Sequence, residues 1–241
     1  MSHIELTPND LRYVVERLPR DIRKLLTENA KRLFVGGGFI RATIAGETPS
    51  DIDLFGDDPK FLATVASLLS GRREGSKLHT SKNAITLLTP DRLPVQFITR
   101  WTFDDARKLV ASFDFTVCQA AIYRHGTQSN AQWGSAIGNG FYVDLAGRRL
   151  VYTNPVRDEE AGGAMLRVLK YTKRGYSIQV NSLGGVIARL AMKLDPSRLT
   201  SAIDAGTVIA GMLREVDPSL MIDGFDIVED HEPILLEGDN G

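Results

Sequence analysis

Asp51 and Asp53 stand two residues apart at the end of the stretch LFVGGGFIRATIAGETPSDIDLFG, which runs from Leu33 to Gly56. On a strand, residues two apart share a face, so both carboxylates would point the same way, with Ile52 and Leu54 opposite. Two like charges side by side are unfavourable unless a cation lies between them or water screens them. Upstream, Gly36, Gly37 and Gly38 follow a short apolar run; consecutive glycines cost backbone entropy unless the chain needs positive φ or a close approach to another group. A strand, a glycine turn and a helix would set backbone N–H groups at a helix N-terminus, a cradle for a triphosphate. Arg41, one turn into that helix, could reach the same phosphates with its planar fork. Paired carboxylates and phosphate oxygens then form a hard, oxygen-only site for magnesium, and two such ions can clamp the attacking and leaving oxygens of an in-line displacement. Together these spacings point to nucleotidyl transfer from a nucleoside triphosphate (NTP), with Asp51 and Asp53 as metal ligands and catalytic residues. Taken singly, the glycines read as a tight turn and Asp-x-Asp as a solvated strand edge. Two other glycine-rich readings fail: GGGFIR lacks the P-loop frame, and no acid stands about twenty residues on, where a ribose-binding Rossmann fold expects one.

The elements that must position these groups alternate. TPNDLRYVVERL and RDIRKLLTENAKR read as two helices broken at Pro19, LFV as a buried strand, GFIRATIAG as a short helix and DIDLFG as the next strand. PKFLATVASLLSG is a helix with Pro59 in its first turn. AITLLT and LPVQFITRW are strands close enough to be neighbours, TFDDARKLVA is a helix, DFTVCQAAIYR looks strand-like, and FYVDLAGRRLVYT resembles a hairpin turning at Ala146 and Gly147. After Pro155 the pattern is helical to about Val216. The expected fold is α+β: a mixed-sheet domain over residues 1–155, with N-terminal helices within 7–30, a small helical domain over 156–217, and an acidic tail over 218–241.

Composition agrees with a globular protein: 43% of the 241 residues are hydrophobic and 24% charged. No apolar run approaches the roughly 18 residues of a membrane helix, and the charged N-terminus lacks a signal pattern, so no membrane partner is expected. Cys118 is the only cysteine; it cannot form an intramolecular disulfide, which fits a cytoplasmic location. His3, His79, His125 and His231 are scattered and show no zinc spacing. The net charge of −1 hides an asymmetry, because from Glu215 onward there are nine acids and no Lys or Arg, leaving 29 bases against 21 acids in the rest. A basic body suits a phosphate-bearing partner. The tail's apolar clusters, among them Leu220, Met221, Ile222 and Phe225, suggest that it docks on the helical domain, on a second subunit or on a partner protein.

GGGFIRATIAGETPSDIDLFG resembles the signature of the DNA polymerase β-type nucleotidyltransferase superfamily, in particular the head domain of class II tRNA CCA-adding enzymes and bacterial poly(A) polymerases. FDFTVCQAAIY, VDLAGRRLVY and MLRVLKYTKRGYSI are similar to three further segments of those enzymes, in order, the last opening the neck domain. The resemblance implies template-independent, magnesium-dependent transfer of a nucleoside monophosphate, with an RNA 3′ end as the acceptor. It also implies a place near the ribose or nucleotide for Asp114. Arg167, Lys170 and Arg174 recur at helical spacing and form one basic face, either solvated or in contact with triphosphate or RNA backbone.

The departures narrow this. Where the relatives carry a third acid on a later strand, PVQFITR offers Gln96, a weaker magnesium ligand. Ser112 and Phe113 replace two arginines. The base-reading Glu-Asp-x-x-Arg element aligns on Glu160, Ala161 and Ala164, which removes the side chains that select CTP and then ATP. Strict CCA addition is therefore not expected, and only some 60 residues follow the neck helix to grip a tRNA. Two alternatives stand beside an RNA acceptor: transfer to a protein or small-molecule hydroxyl, as in some compact relatives, and a degenerate nucleotide-binding protein.

Overall fold

The computed structural model describes residues 4–126, 130–155, 161–195, 197 and 201–214. Glu160 and the acidic tail over 218–241, with the docking expected of it, lie outside the described residues.

Two short helices open the chain. In α1 (Pro8–Arg17), Pro8 fixes φ where no backbone donor is needed, and the Thr7 hydroxyl caps the helix by accepting from the Asp10 N–H. Helix α2 (Arg20–Glu28) buries Ile22, Leu25 and Leu26 on one stripe. Strand β1 (Leu33–Gly36) is buried throughout and leads through Gly37 into α3 (Gly38–Ala45). Strand β2 (Ile52–Gly56) follows, and then α4 (Pro59–Gly71), capped by the Asp58 carboxylate on the Phe61 N–H.

Strands β3 (Lys77–Thr80), β4 (Ala84–Leu88) and β5 (Val95–Ile98) precede α5 (Ala106–Ser112). A 3-10 turn over Thr116–Cys118 leads to β6 (Ala120–His125), β7 (Gln132–Ile137) and α6 (Phe141–Ala146). Beyond these come β8 (Arg149–Leu150), α7 (Ala161–Lys173), β9 (Ser177–Ile178), α8 (Val180–Ala191) and α9 (Ala202–Arg214).

The sheet is mixed and seven-stranded, in the order β3-β4-β5-β2-β1-β6-β7. Its one parallel contact joins β2 to β5, with Asp53 level with Gln96; the other pairs are antiparallel. This is the α+β fold expected, and the acid-bearing strand β2 lies inside the sheet, flanked on both sides. A buried apolar core from Leu6 to Val186 runs through helices and sheet alike, and takes in Ala164, Val168 and Tyr171 of α7.

Two local expectations need correction. FYVDLAG is the helix α6, not one arm of a hairpin: Phe141, Asp144 and Leu145 are buried at the i, i+3, i+4 spacing of a helix. The strand-like reading of DFTVCQAAIYR holds only from Ala120, because the 3-10 turn intervenes. Strand β3 carries no buried residue and therefore no alternation to read. No helix among the described residues is long and apolar enough to cross a membrane.

Candidate functional site

Gly36 is level with Asp53 on the neighbouring strand, and its missing side chain is accounted for by packing. A Cβ there would lie 3.0 Å from Phe113 Cζ and 3.1 Å from Phe55 Cε2. Gly37 adopts φ 72° and ψ −123°, a backbone region open to glycine, and its N–H donates to the Ala120 carbonyl at 2.9 Å. Gly38 opens α3, where a Cβ would meet nothing within 4 Å. The backbone N–H groups of this first turn have no intrahelical acceptors, which makes it the electropositive end of the helix.

Gly37 and Gly38 border a cleft of about 80 Å3 that also takes in Asp51, Asp53, Asp114, Arg167 and Lys170. Asp51 is 5% exposed and accepts a hydrogen bond from the Ser50 hydroxyl at 3.1 Å. Helix α7 lies across the cleft and brings two cations to these carboxylates. Arg167 Nη1 donates to Asp114 Oδ2 at 2.6 Å, tying the helix to the segment before the 3-10 turn. Burial pushes the Lys170 ammonium below its ordinary value of 10.5; the carboxylates of Asp51 and Asp53 oppose that shift, while Arg174 and Arg41 add to it. Phe55, Trp101, Phe113 and Tyr171 give the cleft aromatic walls. The Cys118 thiol sits 2.9 Å from the Tyr171 hydroxyl, and burial pushes both groups up.

The remaining expected site residues are placed differently. Gly36 is behind the Phe113 ring and does not line the cleft. Arg41 is turned away from it: 1% exposed, it pairs with Glu47 Oε2 at 2.9 Å and lies 4.7 Å and 5.4 Å from the ring centres of Tyr171 and Tyr176. Helix α3 is buried from Phe39 to Thr43, so its arginine is held among the core and the α7 region and does not line the cleft. Arg174 is half-buried outside the lining. Gln96 is fully buried on the sheet face it shares with Asp53, and neither its amide nitrogen nor its oxygen has a hydrogen-bond partner among the described residues. Ala164, which the resemblance aligns with a base-reading side chain, is a buried methyl group with nothing to donate or accept.

Among the described residues, no group of three His, Cys, Asp or Glu side chains gathers to hold a metal. The donor set nevertheless fits a hard cation, since Asp51 and Asp53 both line the cleft and phosphate or water would complete the shell; Gln96, level with Asp53 in the sheet, does not line it. Sequence reasoning missed Trp101, Tyr171 and Glu47. Tyr171 was within reach, because it follows Arg167 by four residues on the same helical stripe.

This architecture is that of a nucleotidyltransferase-like fold. The structure resembles a CCA-adding enzyme from Thermotoga maritima complexed with tRNA, at 19% identity and a TM-score of 0.56, covering 97% of this chain and 52% of that one. It also resembles CCA-adding enzymes solved with CTP and with ATP. For the CTP complex the TM-score is 0.55 at 19% identity, covering 89% of this chain and 50% of that one. For the ATP complex it is 0.54 at 17% identity, covering 89% and 56%. The chain thus spans about half the length of these structures. No curated protein matches the sequence significantly. Residues 7–146 match the Gabija anti-defense 2 (Gad2) family, and the chain belongs to that family.

Proposed function

We propose that the protein is a magnesium-dependent nucleotidyltransferase that moves a nucleoside monophosphate from an NTP to a hydroxyl, with an RNA 3′ end as the acceptor. The observation that carries this reading is the convergence of Asp51, Asp53 and Lys170 at the N-terminus of α3 in one cleft. Asp51 and Asp53 would hold the two ions, with Gln96 as a weak third ligand beside Asp53. Magnesium bound there would polarise the α-phosphate and stabilise the attacking and leaving oxygens.

The chain's own groups do the rest. The first turn of α3 receives phosphate oxygens with its backbone N–H groups. Lys170, released from the acid pair once cations occupy it, balances triphosphate charge, with Arg174 behind it. Asp114 and Arg167 hold each other in place beside the ribose. A cleft of about 80 Å3 is far below the roughly 300 Å3 at which ligand pockets begin. It fits the metal–phosphate end of a nucleotide, leaving base and ribose against the aromatic walls in a groove that opens on binding. With Ala164 buried at the template position, base choice rests on stacking and phosphate contacts, and not on Watson–Crick-like hydrogen bonds.

Incubation with each of the four α-labelled ribonucleotides, magnesium, total RNA and a protein extract tests the proposal. Label on RNA that disappears in Asp51→Asn and Asp53→Asn is expected; no label on any acceptor would refute it. Membership of the Gad2 family supports a second reading for the acceptor alone, in which the same transfer modifies a protein hydroxyl and so counters the Gabija defence. Label on protein but not RNA would select it.

A further inference from the structure

A second concentration of positive charge lies far from the acid pair. Helix α2 carries Arg20, Arg23, Lys24 and Thr27 at i, i+3, i+4 and i+7, one continuous stripe opposite the buried Ile22, Leu25 and Leu26. That stripe borders a dent of about 320 Å3 whose far wall is Arg124 of β6 and Trp133 of β7, with the buried Val15 completing it. No carboxylate among the described residues lines it. The two acids of α2 are drawn elsewhere: Asp21 is held by Arg73 and Arg92, and Glu28 by Arg72 at 2.9 Å, with Lys24 at a looser 3.8 Å.

Arg124 is the most telling member. Its guanidinium lies 4.9 Å from the Trp133 ring centre. Its Nε is shut off from solvent with no hydrogen-bond partner among the described residues. Burial pushes Arg124 below its ordinary value, and no carboxylate opposes the shift. Arg124 is only partly covered, and no carboxylate among the described residues lines the dent beside it, so an anionic ligand there would meet an unneutralised cation.

The register fixes which side of the sheet this is. Asp53, Gly36, Ala121 and Tyr123 share one face through their cross-strand partners, so Arg124 and its partner Trp133 share the other. A single nucleotide cannot span both sites.

We infer that the dent formed by Arg20, Arg23, Lys24, Arg124 and Trp133 binds the backbone of a single-stranded nucleic acid, holding it on the sheet face opposite the acid pair. Guanidinium forks match phosphate oxygens, and a half-buried indole beside them is a stacking platform for a base; that combination characterises single-strand binding. An acidic protein surface fits less well, because protein interfaces have apolar centres depleted of charge, whereas here the cations form the centre. The inference does not rest on transfer activity, since the strand is held without metal or NTP.

The test is fluorescence anisotropy with a fluorescein-labelled oligo(U) of about 20 nucleotides, in EDTA, without NTP, over a potassium chloride titration. Wild type should bind with an affinity that falls linearly on a log–log salt plot. In Arg20→Gln/Arg23→Gln the slope should become shallower by about 1.4, the value for two lost contacts to a single strand, with affinity about tenfold lower at low salt. Trp133→Leu should lower affinity at least fivefold while leaving the slope unchanged. An unchanged slope and affinity in the double variant, with its circular dichroism intact, overturns the inference. So does a loss confined to Lys170→Gln, which would put the strand in the acid-pair cleft. Binding of polyglutamate through Arg20 and Arg23, with no binding of oligo(U), would overturn it in favour of an acidic protein partner.

Discussion

Replacing Arg41 by Met separates the two roles this residue can have. As a phosphate ligand it would be dispensable for folding and required for NTP binding. In the structure its guanidinium is 1% exposed, paired with a Glu47 side chain that is itself 16% exposed, and stacked near Tyr171 and Tyr176. Met keeps most of the aliphatic stem, so little packing is lost, while Glu47 loses its closest cation and keeps the Tyr176 hydroxyl at 3.1 Å and Arg148 at 3.6 Å. Breaking a buried pair costs about 3–5 kcal/mol, and the two partners Glu47 keeps put this variant near the lower end, a fall in melting temperature of about 6–12 °C in a chain of this size. Because much of that cost is the weakened neutralisation of the Glu47 carboxylate, adding Glu47→Gln should restore part of it, with a coupling of about 1–3 kcal/mol. Urea denaturation of the four proteins of this cycle gives the coupling, and NTP titration of each folded variant gives the affinity. A wild-type urea midpoint in Arg41→Met, together with a large loss of NTP affinity, would refute the structural role and return Arg41 to the phosphates.

Gly37→Ala should destabilise the protein by about 2 kcal/mol or more, since alanine disfavours φ 72° and its Cβ would stand 3.1 Å from the Phe113 ring, whereas Gly38→Ala should leave denaturant stability unchanged or slightly raised. Equal losses for the two would contradict this assignment of the glycines. Gln96→Glu should bury a carboxylate beside Asp53, lowering the melting temperature without metal and steepening its rise with magnesium; an identical magnesium dependence to wild type would remove Gln96 from the metal shell. Burial raises the Asp21 carboxyl, but the hydrogen bonds and charge of Arg73 outweigh this and hold it below 3.8. The stability it contributes is therefore complete above that value and is lost as pH falls through its lowered folded-state value, so the wild-type advantage over Asp21→Asn should shrink in acid; an advantage independent of pH would count against the linkage. Sequencing of products from a tRNA that ends at its discriminator base should show no ordered CCA, and a clean CCA end would mean that base selection survives the buried Ala164.

The acid pair was legible because a strand's period of two is absolute: once DIDLF is a strand, Asp51 and Asp53 must share a face, whatever surrounds them. The glycines were legible as a special backbone but not as a packing device, since nothing local announces the Phe113 ring, 77 residues on, that fills the space at Gly36. Arg41 is placed away from the cleft lining for a related reason. Its distance from the glycines fixes how far along α3 it lies but not which face the core will claim, and in a helix buried almost all round an arginine must find its partners inside. Strand β7 and the exposed β3 left little pattern to read, because β7 opens with exposed Gln132 and half-buried Trp133 and β3 buries nothing. Helix α7 was visible as a basic stripe, yet only three-dimensional packing reveals that Tyr171 on it is a buried anchor against Cys118 and Arg41.

That packing has a consequence for how the cleft can change over evolutionary time. The carboxylates Asp51, Asp53 and Asp114 lie inside the stretch 7–146 that defines the Gad2 family, whereas Arg167 and Lys170 come from α7, beyond it. The anionic half of the cleft and its cationic half are thus encoded in separate parts of the chain and can drift at different rates. If the cleft works as proposed, a relative that keeps the first part and alters α7 would retain its acid pair while changing how it neutralises and orients a nucleotide, so substrate choice could diverge without any substitution at the carboxylates.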